Sequence, residues 1–528
     1  MKDNFYLIIF FLVVTFLFMN KPIFQDEELF VRIGQSIIEK GGEYYNFYGS
    51  KEKGLIHDSM YNPPLSCYIV ALASLIIKDN IFFYHFIFMF PAIFLILGIL
   101  KLAKISHIKE ENCLYSALFA IATPAFMVCS FAVMSDIMMT ALYTWAIYFW
   151  IIGEQKNKWK YYFISAFLIS LSFLTKYFGI TAIPLLMVFS IVQNKTFKKE
   201  IFVLLIPVAV LIFFEILTSY LYGNGLISKA LLYPVKENSL SFRRIIVGLS
   251  FFGGCFFWLI IELKLIPVLI SAIFVYFINI DDLFWIPISP IAKVQLIFFS
   301  SMGLSGLFFI GKKVIPKSIK NYEQRPYLVL FLLWIGGTWF FSSFINWTVN
   351  VRTMLPMIAP ISIIFSEFYC VTIQKRKKLF LLFSSFIVSF FVQYADYEFA
   401  VSQKTAANII IQKIGTKECY HQGGFSFNYI MEMSGSKKLD YNSPPILDKD
   451  TLLIIPENNC NVYWPGDMEN YNIDIITIKM NIPVTIMSRQ TGAGFHGSWG
   501  PLPFSFGIPP PNRFFIFQYK GEKSNTSS

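Results

Sequence analysis

Apolar runs long enough to cross a bilayer recur from the start of the chain to about residue 394, broken by short polar segments. A spanning α-helix needs ~20 predominantly apolar residues, and by that measure the pattern predicts thirteen crossings. They fall at residues 5 to 20, 82 to 100, 113 to 131, 137 to 152, 161 to 175, 179 to 193, 201 to 220, 245 to 261, 265 to 280, 293 to 311, 327 to 345, 354 to 373 and 379 to 394. An amphipathic run, Glu28 to Ile38, and an apolar stretch, Leu65 to Ile77, lie between the first two. Both read as helices on, or dipping into, the membrane surface, within a structured outer loop over residues 21 to 81. From Tyr397 the pattern turns polar, with Gly, Asn, Pro and Ser punctuating strand-like runs at residues 451 to 455, 473 to 478 and 514 to 517. Residues 401 to 414 carry the period of an amphipathic helix. The expected architecture is an all-α polytopic membrane domain over residues 1–396, followed by a soluble α/β domain over residues 397–528.

Composition narrows the class. The 528 residues are 55% hydrophobic and only 15% charged, with mean hydropathy +0.57, so an integral, multi-pass membrane protein is expected. The net charge of +11 would suggest nucleic acid in a soluble protein. Here it matters by side of the membrane, and nucleic-acid binding is set aside. The densest basic clusters are Lys101, Lys104 and Lys109; Lys156, Lys158 and Lys160; Lys195, Lys198 and Lys199; Lys312, Lys313, Lys317, Lys320 and Arg325; and Lys375 to Lys378. All fall on the inner side only if residues 65 to 77 are not a crossing, which places the N-terminus inside and the C-terminal domain outside. No small-residue cleavage site follows the first run, so it is read as a retained anchor. Cys113, Cys129, Cys255 and Cys370 read as small buried hydrophobes, while Cys419 and Cys460 either pair in an oxidising compartment or remain thiols. No Cys/His spacing marks a metal site. The tract Thr491 to Gly500 reads as a Gly-rich loop, with an aromatic sugar platform as the alternative.

Ionisable residues at the outer ends of crossings supply the candidate chemistry. Gln25-Asp26-Glu27-Glu28 follows the first crossing, Asp136 separates two spans, Lys176 ends another, and Arg352 occupies the last short outer loop. Singly, each is an ordinary boundary residue, and Asp26 and Glu27 suit the start of a surface helix. Two acids and two bases on one face, beside a long structured loop, point instead to a site. A carboxylate can take the proton of an attacking hydroxyl while Lys and Arg neutralise a phosphate leaving group. Glu215 also lies in an apolar stretch, and Glu262, beside Lys264, reads as solvated.

The ordered series Asp26-Glu27, Pro63-Pro64-Leu65, Ser135-Asp136, Leu174-Thr175-Lys176, and Arg352 followed by Leu355-Pro356 and Pro360 resembles the membrane glycosyltransferases of the type C fold. Within that fold it is similar to the dolichyl-phosphate-mannose protein mannosyltransferases and the aminoarabinose transferase of lipid A, over roughly residues 5 to 375. The resemblance implies that Asp26 is the catalytic carboxylate and Glu27 its partner. It matches Asp136 to the family's acid at the outer end of the fourth crossing and Lys176 to the basic residue that meets the lipid phosphate, and with Arg352 these are the expected substrate-binding residues. Two departures stand out: Asn62 precedes Pro63-Pro64 where the family usually has Lys or His, and Leu29 stands where the family has Arg, with Arg32 a turn later. Arg32, and Arg243 with Arg244 before residue 245, are the candidate substitutes. The implied reaction moves a sugar, hexosyl or pentosyl, from a polyprenyl-phosphate donor to an acceptor hydroxyl on the outer face, with inversion. The acceptor is a protein, a glycolipid or a cell-surface polymer, and the setting is a bacterial inner (plasma) membrane, with the C-terminal domain extracytoplasmic. No cofactor is required; a divalent metal is compatible with the chemistry, although no ligand set is visible. A transporter or flippase of lipid-linked sugars would use the same polar residues without a base. A non-catalytic assembly protein would tolerate alanine at the crossing-edge charges.

Overall fold

A computed structural model describes the chain outside residues 1, 42–44, 46–47, 51–53, 56–61, 78–79, 197, 237–242, 278–287, 321–324, 371–372, 416, 441–450, 498 and 521–528. The first helices are α1 (Lys2–Phe16), α2 (Glu27–Lys40), α3 (Leu65–Ile77), α4 (Ile81–Ile105), α5 (Glu110–Ile121), α6 (Pro124–Cys129), α7 (Ser135–Lys156) and α8 (Trp159–Thr175). Among the described residues, eight helical segments are long and apolar enough to cross a membrane: 81–105, 135–156, 177–194, 199–222, 290–320, 326–345, 351–368 and 375–414. The other five predicted crossings coincide with shorter helices: α1, α5, α8, Arg243–Cys255 and Leu265–Phe277. The break between α5 and α6 has a local cause. Pro124 opens α6 at its first turn, where its missing N–H costs nothing, and the Thr123 hydroxyl accepts from Phe126 N at 3.3 Å. Arg243–Cys255 ends just after Gly253-Gly254 and gives way to a 3₁₀ turn, Phe257–Glu262.

At ~1.5 Å per residue, the 13 residues of α3 extend about 20 Å, short of the hydrocarbon thickness. The helix lies tightly on α2, where a Cβ added at Gly34 would sit 2.6 Å from Val70 Cγ1. That contact requires a residue without a side chain.

The last crossing and the separately predicted helix at 401 to 414 are one continuous 40-residue helix, Lys375–Ile414. Its end beyond residue 400 carries Ala406, Ala407 and Ile410 into the core of the C-terminal domain, against Phe427 and Phe514. The apolar helical part and the C-terminal domain therefore share one continuous helix. The domain's five-stranded sheet runs in the order Lys437–Lys438, Cys419–His421, Leu452–Pro456, Asn512–Tyr519, Tyr471–Ile478. Its first two pairings are parallel and its last two antiparallel.

Four details refine the sequence reading. Cys419 and Cys460 are not joined in a disulfide. Trp499 is buried beneath Arg489, so it offers no open sugar platform. Glu262 is buried rather than solvated, and pairs with Lys313 at 3.3 Å and Lys264 at 3.8 Å. Glu215 accepts the N–H groups of Ile227 (2.9 Å) and Ser228 (3.2 Å), closing the start of the helix Leu226–Lys236.

Candidate active site

The chain leaves α1 at Phe16 and turns through Gln25, which adopts φ = +54°. An L residue pays roughly 1 kcal/mol or more for that left-handed backbone, and such conformations persist where surrounding contacts hold them. The turn delivers Asp26 to the start of α2 without using its side chain as a helix cap. The side chain instead accepts a hydrogen bond from Arg352 NH1 at 2.6 Å. Arg352 stands on the short helix Val351–Met354, whose start is fixed by Asn350 accepting from Thr353 N at 3.0 Å. The same guanidinium reaches Met134 Sδ at 3.3 Å and the His496 carbonyl at 3.3 Å, and its buried Nε has no hydrogen-bond partner among the described residues.

Asp136 lies in the first turn of α7 and accepts from Lys176 Nζ at 2.6 Å. Lys176 follows the last residue of α8 in an extended conformation, which swings its amine away from the helix end toward α7. Asp136 is also within electrostatic reach of Arg352. Asp26, Arg352, Asp136 and Lys176 are thus brought together in one cluster of alternating charge. Lys176 spends one of its three donors on Asp136 and keeps a quarter of its side chain exposed, so it can still meet an anion.

Glu27 differs sharply from its neighbour. Its side chain is fully buried and accepts from Phe24 N (2.8 Å) and Val133 N (3.1 Å), with Lys21 Nζ at 3.6 Å and His85 Nε2 at 3.4 Å. Burial alone would raise its pKa, but Lys21 and His85 outweigh burial and hold it below the ordinary carboxylate value. Lys21 is itself buried, and Asp396 (3.0 Å) and Glu27 together raise its pKa despite burial. Asp396 in turn meets His496 Nε2 at 2.8 Å. The result is a buried chain, His85–Glu27–Lys21–Asp396–His496, directly behind Asp26. Asp26 keeps 40% of its side chain exposed, whereas Glu27 has no free face.

Four expected residues lie elsewhere in the contact network. Arg32 pairs with Glu28 at 2.9 Å and with Glu432, and lies over Tyr429, so it ties α2 to the helix Phe425–Met433 of the C-terminal domain. Arg244 is buried and donates to the Asn346 carbonyl at 2.6 Å, with Arg243 less buried beside it. The Asn62 carbonyl accepts from Tyr45, and its side chain is partly buried. Lys21, His85, Asp396 and His496 were not singled out from sequence. Asp396 carries the same signal that marked Asp136, an isolated acid in an apolar stretch, but it falls two residues past the predicted end of the last crossing.

Among the described residues, no three His, Cys, Asp or Glu side chains converge as a metal ligand set. Asp26 and Asp136 are each paired with a cation.

Residues 61–218 match the family model of the dolichyl-phosphate-mannose-protein mannosyltransferases, a segment that includes Asp136 and Lys176 and agrees with the resemblance read from the ordered motifs. Among solved structures, the chain is similar to the oligosaccharyltransferase of Archaeoglobus fulgidus tethered with an acceptor peptide, with a TM-score of 0.47 and 12% identity over 84% of this chain. It spans 65% of the length of that protein. It is also similar to ArnT from Cupriavidus metallidurans bound to undecaprenyl phosphate, with a TM-score of 0.46, 11% identity and 97% of each chain covered. No curated protein sequence matches the chain.

Proposed function

We propose that this chain is a membrane glycosyltransferase that moves a sugar from a polyprenyl-phosphate donor to an acceptor hydroxyl on the outer face of the membrane, with inversion. The observation that carries the reading is the alternating cluster Asp26–Arg352 and Asp136–Lys176, with one carboxylate left reachable and two cations holding spare donors. The family model matched by residues 61–218 is named for enzymes that take mannose from dolichyl phosphate, which supports a lipid-phosphate donor. In a single displacement, the acceptor oxygen attacks the anomeric carbon as Asp26 takes its proton. The bond from that carbon to the phosphate oxygen breaks, and the polyprenyl phosphate leaves with both electrons of the bond. One displacement inverts the anomeric centre. Lys176 and Arg352 stabilise the charge that grows on the departing phosphate, where low surrounding polarity makes each contact count.

Lys176→Ala is expected to weaken donor binding and slow turnover together, since an uncompensated phosphate in a crevice of low polarity costs several kcal/mol. Lys176→Arg should recover part of both. Donor affinity equal to wild type in the alanine variant, measured by titration with a fluorescent polyprenyl phosphate, would remove Lys176 from the site.

The outer-face assignment rests on the basic clusters, which lie together only when α3 does not span. Single cysteines at Lys109, Lys158 and Lys377 should be protected from impermeant thiol reagents applied outside intact cells. Labelling at Lys109 from outside would invert the map.

A further inference from the structure

The buried chain behind Asp26 ends in the C-terminal domain, and that end touches the reacting cluster. His496 is buried, and its imidazole is held through Nε2 by Asp396 of the long membrane helix at 2.8 Å. Its backbone carbonyl accepts from Arg352 NH2 at 3.3 Å, while Phe495 next to it takes the Val351 N–H through its own carbonyl at 3.1 Å. Phe24, just before the turn into Asp26, packs edge-on against the His496 ring with centroids 5.6 Å apart. The helix segment bearing Arg352 is therefore docked on the 495–496 backbone. That backbone is held in turn by the Phe495 N–H to the Ile486 carbonyl at 3.2 Å and the His496 N–H to Met487 Sδ at 3.4 Å, and on the side-chain side by the imidazole–carboxylate contact with Asp396. Arg352 reaches Asp26 with a different nitrogen of the same planar fork, so rotation at the His496 end is transmitted to the Asp26 end.

We propose that His496 is a positioning residue for the transfer centre: clamped by Asp396, it holds the Arg352 guanidinium in the plane that presents it to Asp26 and to the leaving phosphate. The C-terminal domain then completes the active site. This inference rests on the glycosyltransferase reading for its effect on rate, but the clamp itself can be tested without any substrate.

The test uses full-length protein in nanodiscs. Phenylglyoxal modifies arginine side chains, and peptide mass spectrometry reads its rate at Arg352, with Arg489 as the internal reference. His496→Ala should speed modification of Arg352 several-fold, because the backbone carbonyl that accepts from the guanidinium is no longer anchored through the imidazole to Asp396. His496→Gln, which keeps an amide donor for Asp396, should restore the wild-type rate. Phe514→Ala, in the domain core away from this contact, controls for general loosening. In transfer assays with a polyprenyl-phosphate sugar, His496→Ala should lower kcat by about 10- to 100-fold, the scale of a misplaced catalytic group, while donor KM changes much less. An Arg352 modification rate unchanged in His496→Ala, or raised equally by Phe514→Ala, would overturn the clamp. If the modification pattern appears as expected but the wild type transfers no sugar, the clamp stands and the transferase reading falls.

Discussion

Asp26→Asn is expected to retain donor binding while sugar transfer falls by ~100- to 10,000-fold, the range associated with lost general-base catalysis. The substitution keeps the shape of the side chain and an oxygen that can still accept from Arg352, now 2.6 Å away. What it removes is the capacity to take a proton. The contrast with Glu27 makes the expectation specific. Glu27 is the more deeply buried of the two and every face of its carboxylate is engaged, so an acceptor hydroxyl cannot approach it without breaking the contacts to Phe24, Val133, Lys21 or His85. Glu27→Gln should therefore lower folded yield and change the chemical step less. Single-turnover transfer by the two variants, compared at equal folded protein, distinguishes the roles. A wild-type rate in Asp26→Asn with a dead Glu27→Gln would exchange them, and activity in both would leave the acidic pair as the start of a surface helix.

The second large effect is expected on stability. Lys21→Met removes the cation shared by Glu27 and Asp396, leaving two buried carboxylates without their common partner. Breaking a buried ion pair from one side typically costs ~3–5 kcal/mol, because the remaining charge stays desolvated. Thermal unfolding in detergent should show a much lower midpoint, and Lys21→Met combined with Asp396→Asn should cost less than the sum of the single changes. The sign of the pH dependence follows from Glu27. Its folded pKa lies below the ordinary value of ~4.3, so its contribution is fully present above that value and is lost as pH falls through the lower, folded pKa. An unchanged midpoint in Lys21→Met would mean that the network contributes nothing to the fold.

Much of the site was legible before the structure because its residues are anomalies of one kind. Asp26, Asp136, Lys176 and Arg352 each put charge at the edge of an apolar run, and a charge there is costly unless it has a partner. Their partners were not legible. Pairing Lys176 with Asp136 needs the extended turn after α8, and pairing Asp26 with Arg352 joins positions 326 residues apart. His496 was hidden for another reason: it sits in a Gly-rich tract whose composition describes any loop, and its role comes from the long helix carrying Asp396 beneath it. The crossings follow the same division. Hydropathy located the apolar helical runs, eight of them among the described residues long enough to cross, but breaks such as the one at Thr123-Pro124 depend on cap and turn geometry within the run. The continuity of Lys375–Ile414 was missed because its composition changes midway although its backbone does not.

The reading of this chain as a transferase rather than a carrier of lipid-linked sugars turns on whether the bond between sugar and phosphate is broken. Purified protein in sealed vesicles, supplied with a lipid-linked sugar fraction labelled in the sugar, allows both outcomes to be followed in one sample. Label is expected to leave the lipid fraction for an acceptor, with polyprenyl phosphate released in equal amount and both abolished by Asp26→Asn. Label that crosses between the leaflets while remaining attached to its lipid phosphate, at equal rate in wild type and Asp26→Asn, would contradict the transferase reading.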